Sequence, residues 1–306
     1  MLLIQFIQYG PATVGLLVAL VALFLGRRGH VDLPRPVRLW TAIGMAIALA
    51  LMVSYTAWSV WPTWVAPLGE DAFLIMQLAR HLAPLVLCVV ALAFLIAPRP
   101  APGPPGAAAL EPRTILTFAS RPWLWTVGVA VAVSVVLALL AGFASHADDA
   151  GRYVNFEVRL SASTSAGSTI YGWWFSVPCL LTIALILAIT LLALHLISRP
   201  APGADAERDA AERSARIRSI LRVATGGLLL HIGTVLQSLA SAASLRGGFE
   251  GGAIGWIEIS PSFAALGPAL YWSAAIAVVA GFTMWWFTLA SVVLVRSRRL
   301  TAPVPA

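Results

Sequence analysis

Residues 73–97 read FLIMQLARHLAPLVLCVVALAFLIA, an apolar run of membrane-crossing length with Gln77, Arg80 and His81 set inside it. About 20 apolar residues in helical form cross a hydrocarbon core of roughly 30 Å. Inside that core no water satisfies peptide groups, so the backbone must be helix or closed barrel. Comparable runs lie at about 3–26, 39–61, 123–145, 173–198, 219–245 and 268–295. The expected fold is therefore an all-α integral membrane protein with seven transmembrane helices and a short β element in its outer loops. The 3–26 run lacks a basic segment ahead of it, so it reads as a retained helix, kinked at Gly10-Pro11, rather than a signal peptide.

Composition excludes a soluble domain: 59% of residues are hydrophobic and 11% charged, against about 45–50% and 25% in globular chains. All 20 basic residues are arginine. Together with the abundant alanine, this points to a GC-rich, bacterial source. The net charge of +7 is not spread evenly along the chain. Sixteen arginines fall in 27–38, 99–121, 199–222 and 296–299, whereas the alternate connections hold only Arg152, Arg159 and Arg246. By the positive-inside rule the N-terminus lies outside and the C-terminus inside a plasma membrane. Trp40, Trp58, Trp61, Trp64, Trp123, Trp125, Trp173 and Trp174 stand near helix ends as an interfacial belt. No basic–aromatic patch of the nucleic-acid-binding kind accompanies the charge.

Among the connections, 99–121 is a proline-rich cytoplasmic linker and 146–172 is the longest outer loop. Tyr153–Leu160 alternates apolar and polar, which predicts a strand. Ile254–Ile259 is its expected partner, and Asp71 is the expected N-cap of the third helix. Residues 199–218 are charged and helix-prone and extend the sixth span into the cytoplasm, offering a contact for a cytoplasmic or membrane protein partner. Cys88 and Cys179 sit at different depths in separate runs, which argues against a disulfide and for two small apolar fillers.

Chemistry concentrates on two helices. Gln77, His81, Pro84 and Cys88 recur on one face of the third span, bordered by Arg80. On the sixth, His231, Thr234 and Ser238 share a face with Gln237 beside them, while Gly226-Gly227 permits close helix approach. Counting 1.5 Å per residue puts His81 at ~13 Å and His231 at ~12 Å below the outer boundary. Two level histidines on facing helices could ligate one haem b, with Arg80 near a propionate. The competing reading is an interhelical polar cluster of contacts worth about 0.6 kcal/mol each. A third is an outward-facing ligand pocket lined by Gln77, Arg80, His81, His231, Thr234, Gln237 and Ser238, with Gln5 and Gln8. His30, His146 and His195 read as interfacial residues.

Absences narrow the field further. Without lysine there is no retinal Schiff base. All 13 carboxylates fall in loops or at helix ends, which weakens a proton- or sodium-coupled carrier. No His-Glu-x-x-His helix, Gly-x-Ser-x-Gly elbow, phosphate-binding loop or metal-type cysteine spacing occurs. The expectation is a non-enzymatic multi-pass protein that senses or binds a small molecule, or serves as membrane partner of a larger complex, without cofactor or metal. A haem-b redox protein with His81 and His231 as axial ligands is the alternative. A permease subunit is a lower one, because Leu85–Ala97 offers no polar path.

Overall fold

A computed structural model describes residues 2–26, 33–58, 69–98, 115–159, 165–199, 206–250 and 256–294. The proline-rich 99–114, Arg27, Arg28, His30, Trp61, Trp64, the arginines at 296–299 and the side chains of Gln5, Gln8 and Arg159 lie outside the described residues. The chain is predominantly helical: α1 (Leu2–Leu25), α2 (Arg35–Trp58), α3 (Glu70–Ile96), a single turn α4 (Ile115–Phe118), α5 (Arg121–Phe143), α6 (Trp173–Ser198), α7 (Ala206–Ala243) and α8 (Gly267–Val293). Six of these, α2, α3 and α5–α8, are long and apolar enough to cross a membrane, and Tyr9–Leu25 of α1 is a shorter apolar helix. Leu17, Val21, Phe24, Leu140, Phe143, Leu181 and Ile276 are all exposed. An apolar surface of that extent suits lipid rather than water. The protein is a multi-pass, membrane-embedded helical bundle.

Helix α7 is the axis of the bundle, packed by α3, α5, α6 and α8. At 38 residues it is roughly 57 Å long, far more than the core it crosses. Its charged start, expected as an extension of the sixth span, is continuous with the span from Ala206. Close approach is built from glycine. A Cβ on Gly281 would lie 2.8 Å from the Gly226 carbonyl oxygen, and one on Gly227 would lie 2.5 Å from the Cys88 Cβ. Trp285, fully buried against Gly226, donates its indole N–H to the Val223 carbonyl at 3.0 Å. Cys88 and Cys179 are free and buried.

At one end of the bundle a cap is formed by two small sheets. Strands β1 (His146–Ala147), β2 (Tyr153–Arg159) and β3 (Ser165–Thr169) pair antiparallel in that order; β4 (Gly247–Glu250) pairs with β5 (Trp256–Ile259). Among the described residues the expected pairing of the 254–259 piece with β2 is not made: Trp256–Ile259 pairs with β4 instead. Each strand pairs with its neighbour in sequence, where the closing loop is short and costs least entropy. Asp71 is likewise not the cap of α3: Gly69 holds that position. Asp71 sits inside the first turn, where its charge suits the helix dipole, and takes a 2.6 Å ion pair from Arg152. Arg152 also binds Asp148 at 2.7 Å, so one guanidinium fastens the β1–β2 turn to the start of α3.

The opposite end is closed by arginine. Arg213 and Arg216 of α7 are buried and donate to the carbonyls of Ile197 (2.9 Å) and Pro98 (2.6 Å), at the C-terminal ends of α6 and α3. Arg38 of α2 donates to Val292 near the end of α8 at 3.1 Å. Helix C-termini leave carbonyls without intrahelical donors and carry the negative end of the dipole, so a guanidinium is doubly suited to them. Arg222 lies 4.5 Å from the Phe287 ring and 5.4 Å from Trp123. Helix α2 begins four residues earlier than the hydrophobic pattern indicates, because Pro36 fits a first helical turn.

Candidate functional site

The two histidines singled out by depth do come together, but not ring to ring. His231 Nδ1 lies 2.9 Å from the backbone carbonyl of His81. A carbonyl only accepts, so Nδ1 carries the proton, and Nε2 of the neutral ring is left as an acceptor. Pro84 lies three residues on in the same helix and withholds a donor from the Arg80 carbonyl, next to that of His81. Both histidines are buried.

The side chain that packs against both comes from the cap. Tyr171 follows β3, is buried, and directs its hydroxyl to His231 Nε2 at 3.4 Å. Its ring centroid is 4.7 Å from that of His81 and 5.8 Å from that of His231. Phe175, on the first turn of α6, lies 5.7 Å from His81 on another side. The chain can deliver Tyr171 there because Ile170 N–H extends the sheet to the Val154 carbonyl at 2.8 Å. Gly172 then passes so close to β2 that a Cβ would collide with the Tyr153 carbonyl oxygen. The cap is thus plugged into the bundle through Ile170 and Tyr171.

This geometry does not fit a bis-histidine haem. Such a haem needs both imidazoles aimed at one metal across a flat macrocycle. Here the Tyr171 ring packs against both imidazoles, and His231 has both nitrogens engaged, by the His81 carbonyl and the Tyr171 hydroxyl.

Arg80, one position before His81 on α3, reaches a different point of α7. Its Nη2 donates to Gln237 Oε1 at 2.6 Å. Tyr55 of α2 reaches the Met76 carbonyl at 3.4 Å, one turn before Arg80 on the same face. Thr234 spends its hydroxyl on the His231 carbonyl of its own helix at 2.7 Å. Gln77 and Ser238 are half-buried and make no hydrogen bond within the cluster among the described residues. The seven candidate residues therefore divide into the buried His81 and His231, both packed on Tyr171, and a more open Arg80–Gln237 pair, with Gln77, Thr234 and Ser238 as bystanders. Tyr171, Phe175 and Tyr55 join the site without being marked by helical spacing; a Tyr-Gly pair ending a strand next to a span is the one available sign of the first.

Outside the membrane, Asp148 is an organising carboxylate of the cap. Desolvation pushes its pKa up. The Arg152 backbone N–H (2.8 Å), guanidinium (2.7 Å) and charge, with the Ala150 N–H (3.0 Å), outweigh this and hold it below the ordinary value. Gly151, with φ of +78°, supplies the left-handed residue this turn needs. Among the described residues no group of His, Cys, Asp and Glu could hold a metal ion. Comparisons with protein-family models, with curated proteins and with solved structures each return no match.

Proposed function

We propose that this is a non-enzymatic, seven-helix plasma-membrane protein of bacterial origin, N-terminus outside and C-terminus inside. It binds a small molecule in its outer half and presents a cytoplasmic contact to a protein partner. In this reading α1 is the first span and the sheets form an extracellular cap. The observation that carries it is the continuity of α7. One unbroken helix, Ala206–Ala243, bears His231, Thr234 and Gln237 near one end and the charged 206–218 segment at the other. A shift of the outer cluster is therefore delivered to the cytoplasmic side without a hinge.

The permease alternative gains no support, because Leu85, Cys88, Ala91, Leu92 and Leu95 of α3 are buried in tight apolar packing. The test is hydrogen exchange of the full chain in nanodiscs, wild type against His231→Ala. A relay predicts faster exchange in 206–218 as well as in the cap. Change confined to the cap and the outer ends of α3 and α7 would overturn it. A visible spectrum of haem-supplemented protein checks the redox alternative; no Soret band is expected.

A further inference from the structure

Arg80 lies well inside its apolar run, whereas Arg222, the other charged residue within the seven runs, stands three residues from the start of its own; no carboxylate accompanies either there. A guanidinium carries five N–H donors and does not lose its proton in proteins. Among the described residues one of those donors is matched, by Gln237 Oε1 at 2.6 Å. The outer carboxylate nearest in sequence on its own helix, Asp71, is already taken by Arg152. Among the described residues the groups beside the pair are neutral and hydrogen-bonding: the Tyr55 hydroxyl, Gln77, and Ser241, whose hydroxyl is bonded to the Gln237 carbonyl at 3.0 Å. Gln237 and Ser241 are exposed and Arg80 is half-buried, so the pair is reachable from the bundle surface. A permanent cation in a poorly hydrated setting, held among the described residues by one neutral acceptor, is matched by a ligand bearing oxygen atoms and negative charge.

We propose that Arg80 and Gln237 form an oxyanion-binding site for a phosphate or carboxylate group, Arg80 supplying a two-pronged donor and the Gln237 amide N–H₂ a third contact. The proposal rests on the ligand-binding reading above and names its chemical class. The oxyanion comes either from an outer-leaflet lipid headgroup or from a water-soluble solute.

Gln237→Glu is the discriminating variant. It places a carboxylate where the amide oxygen already touches Arg80, so it supplies an internal counter-ion while keeping size and fold. Arg80→Gln removes the cation itself. Native mass spectrometry from nanodiscs of three parts phosphatidylcholine to one part phosphatidylglycerol reads lipid retention. Thermal unfolding in phosphatidylcholine-only nanodiscs with added inorganic phosphate reads the soluble source. Retained phosphatidylglycerol on the wild type that falls about tenfold in Gln237→Glu, the loss of one charge-assisted contact, identifies the lipid. Stabilisation by phosphate that disappears in Gln237→Glu identifies a solute. Wild type and Gln237→Glu behaving alike toward both probes overturns the proposal even if Arg80→Gln fails to fold. An equal loss in Arg246→Gln, a surface arginine of the same end, also overturns it by reducing the effect to general charge. The exchange test of α7 needs no anion, so a failure here leaves the relay to a neutral ligand, and a failure there leaves this site intact.

Discussion

Replacing Tyr171 separates the two roles its side chain could have. Tyr171→Phe keeps the ring that packs 4.7 Å from His81 and 5.8 Å from His231 and removes only the hydroxyl. The lost bond is long, 3.4 Å, and polar contacts inside membrane bundles average about 0.6 kcal/mol. Leaving a buried acceptor unsatisfied costs about 1 kcal/mol at the low end. The expected loss is therefore about 0.6–1 kcal/mol. Tyr171→Ala removes a fully buried ring at the point where the cap enters the bundle, and large-to-small aromatic changes cost about 3–5 kcal/mol. Reversible unfolding in bicelles, followed by far-ultraviolet circular dichroism, measures both. A Phe variant as damaged as the Ala variant would show that the hydroxyl, not the plug, does the holding. An Ala variant near wild type would show that the cap is not anchored here at all.

Gly281→Ala should cost about 1–3 kcal/mol by overpacking, since its Cβ would meet the Gly226 oxygen at 2.8 Å and Leu230 Cγ at 2.7 Å. Gly128→Ala, with nothing within 4 Å, should stay within about 0.5 kcal/mol in the same assay. Because Asp148 is held below its ordinary value of 3.8, its contribution is complete above that value and is lost as pH falls through the lowered one. The melting-temperature gap between wild type and Asp148→Asn should accordingly close on acidification; a gap independent of pH would refute the assignment. For the proposed orientation, Ala150→Cys should react with an impermeant maleimide in intact cells, whereas Glu207→Cys should react only after permeabilisation. The opposite pattern would invert the topology.

Much of the helical layout is legible in the residue pattern alone, because lipid admits few backbones and the rise per residue is fixed. That same rise puts His81 and His231 at one level, and they do meet. Spacing shows which residues share a stripe, but not which neighbour the stripe faces. This is why Gln77 and Ser238 fall beside the cluster rather than in it, and why Arg80 turns to Gln237 rather than to the histidines. Tyr171 is hidden for a different reason. Its place depends on the register of β1–β3 and on the missing Cβ of Gly172, both of which are tertiary facts. The pairing expected for β2 fails because alternation marks a strand without naming its partner.

The arginines that close the ends of α3, α6 and α8 have a consequence for how the chain comes together. In the proposed orientation these residues first act as point charges that decide which segments stay on the cytoplasmic side, a task lysine performs equally well. Afterwards Arg213 and Arg216 are spent on the carbonyls of Ile197 and Pro98. The ends of α3 and α6 therefore stay open until α7, made after both, arrives to close them. Assembly of the inner end waits on one late helix, and a chain with lysine at 213 and 216 should insert with the same sidedness yet stall before that closure, for want of the flat, forked donor.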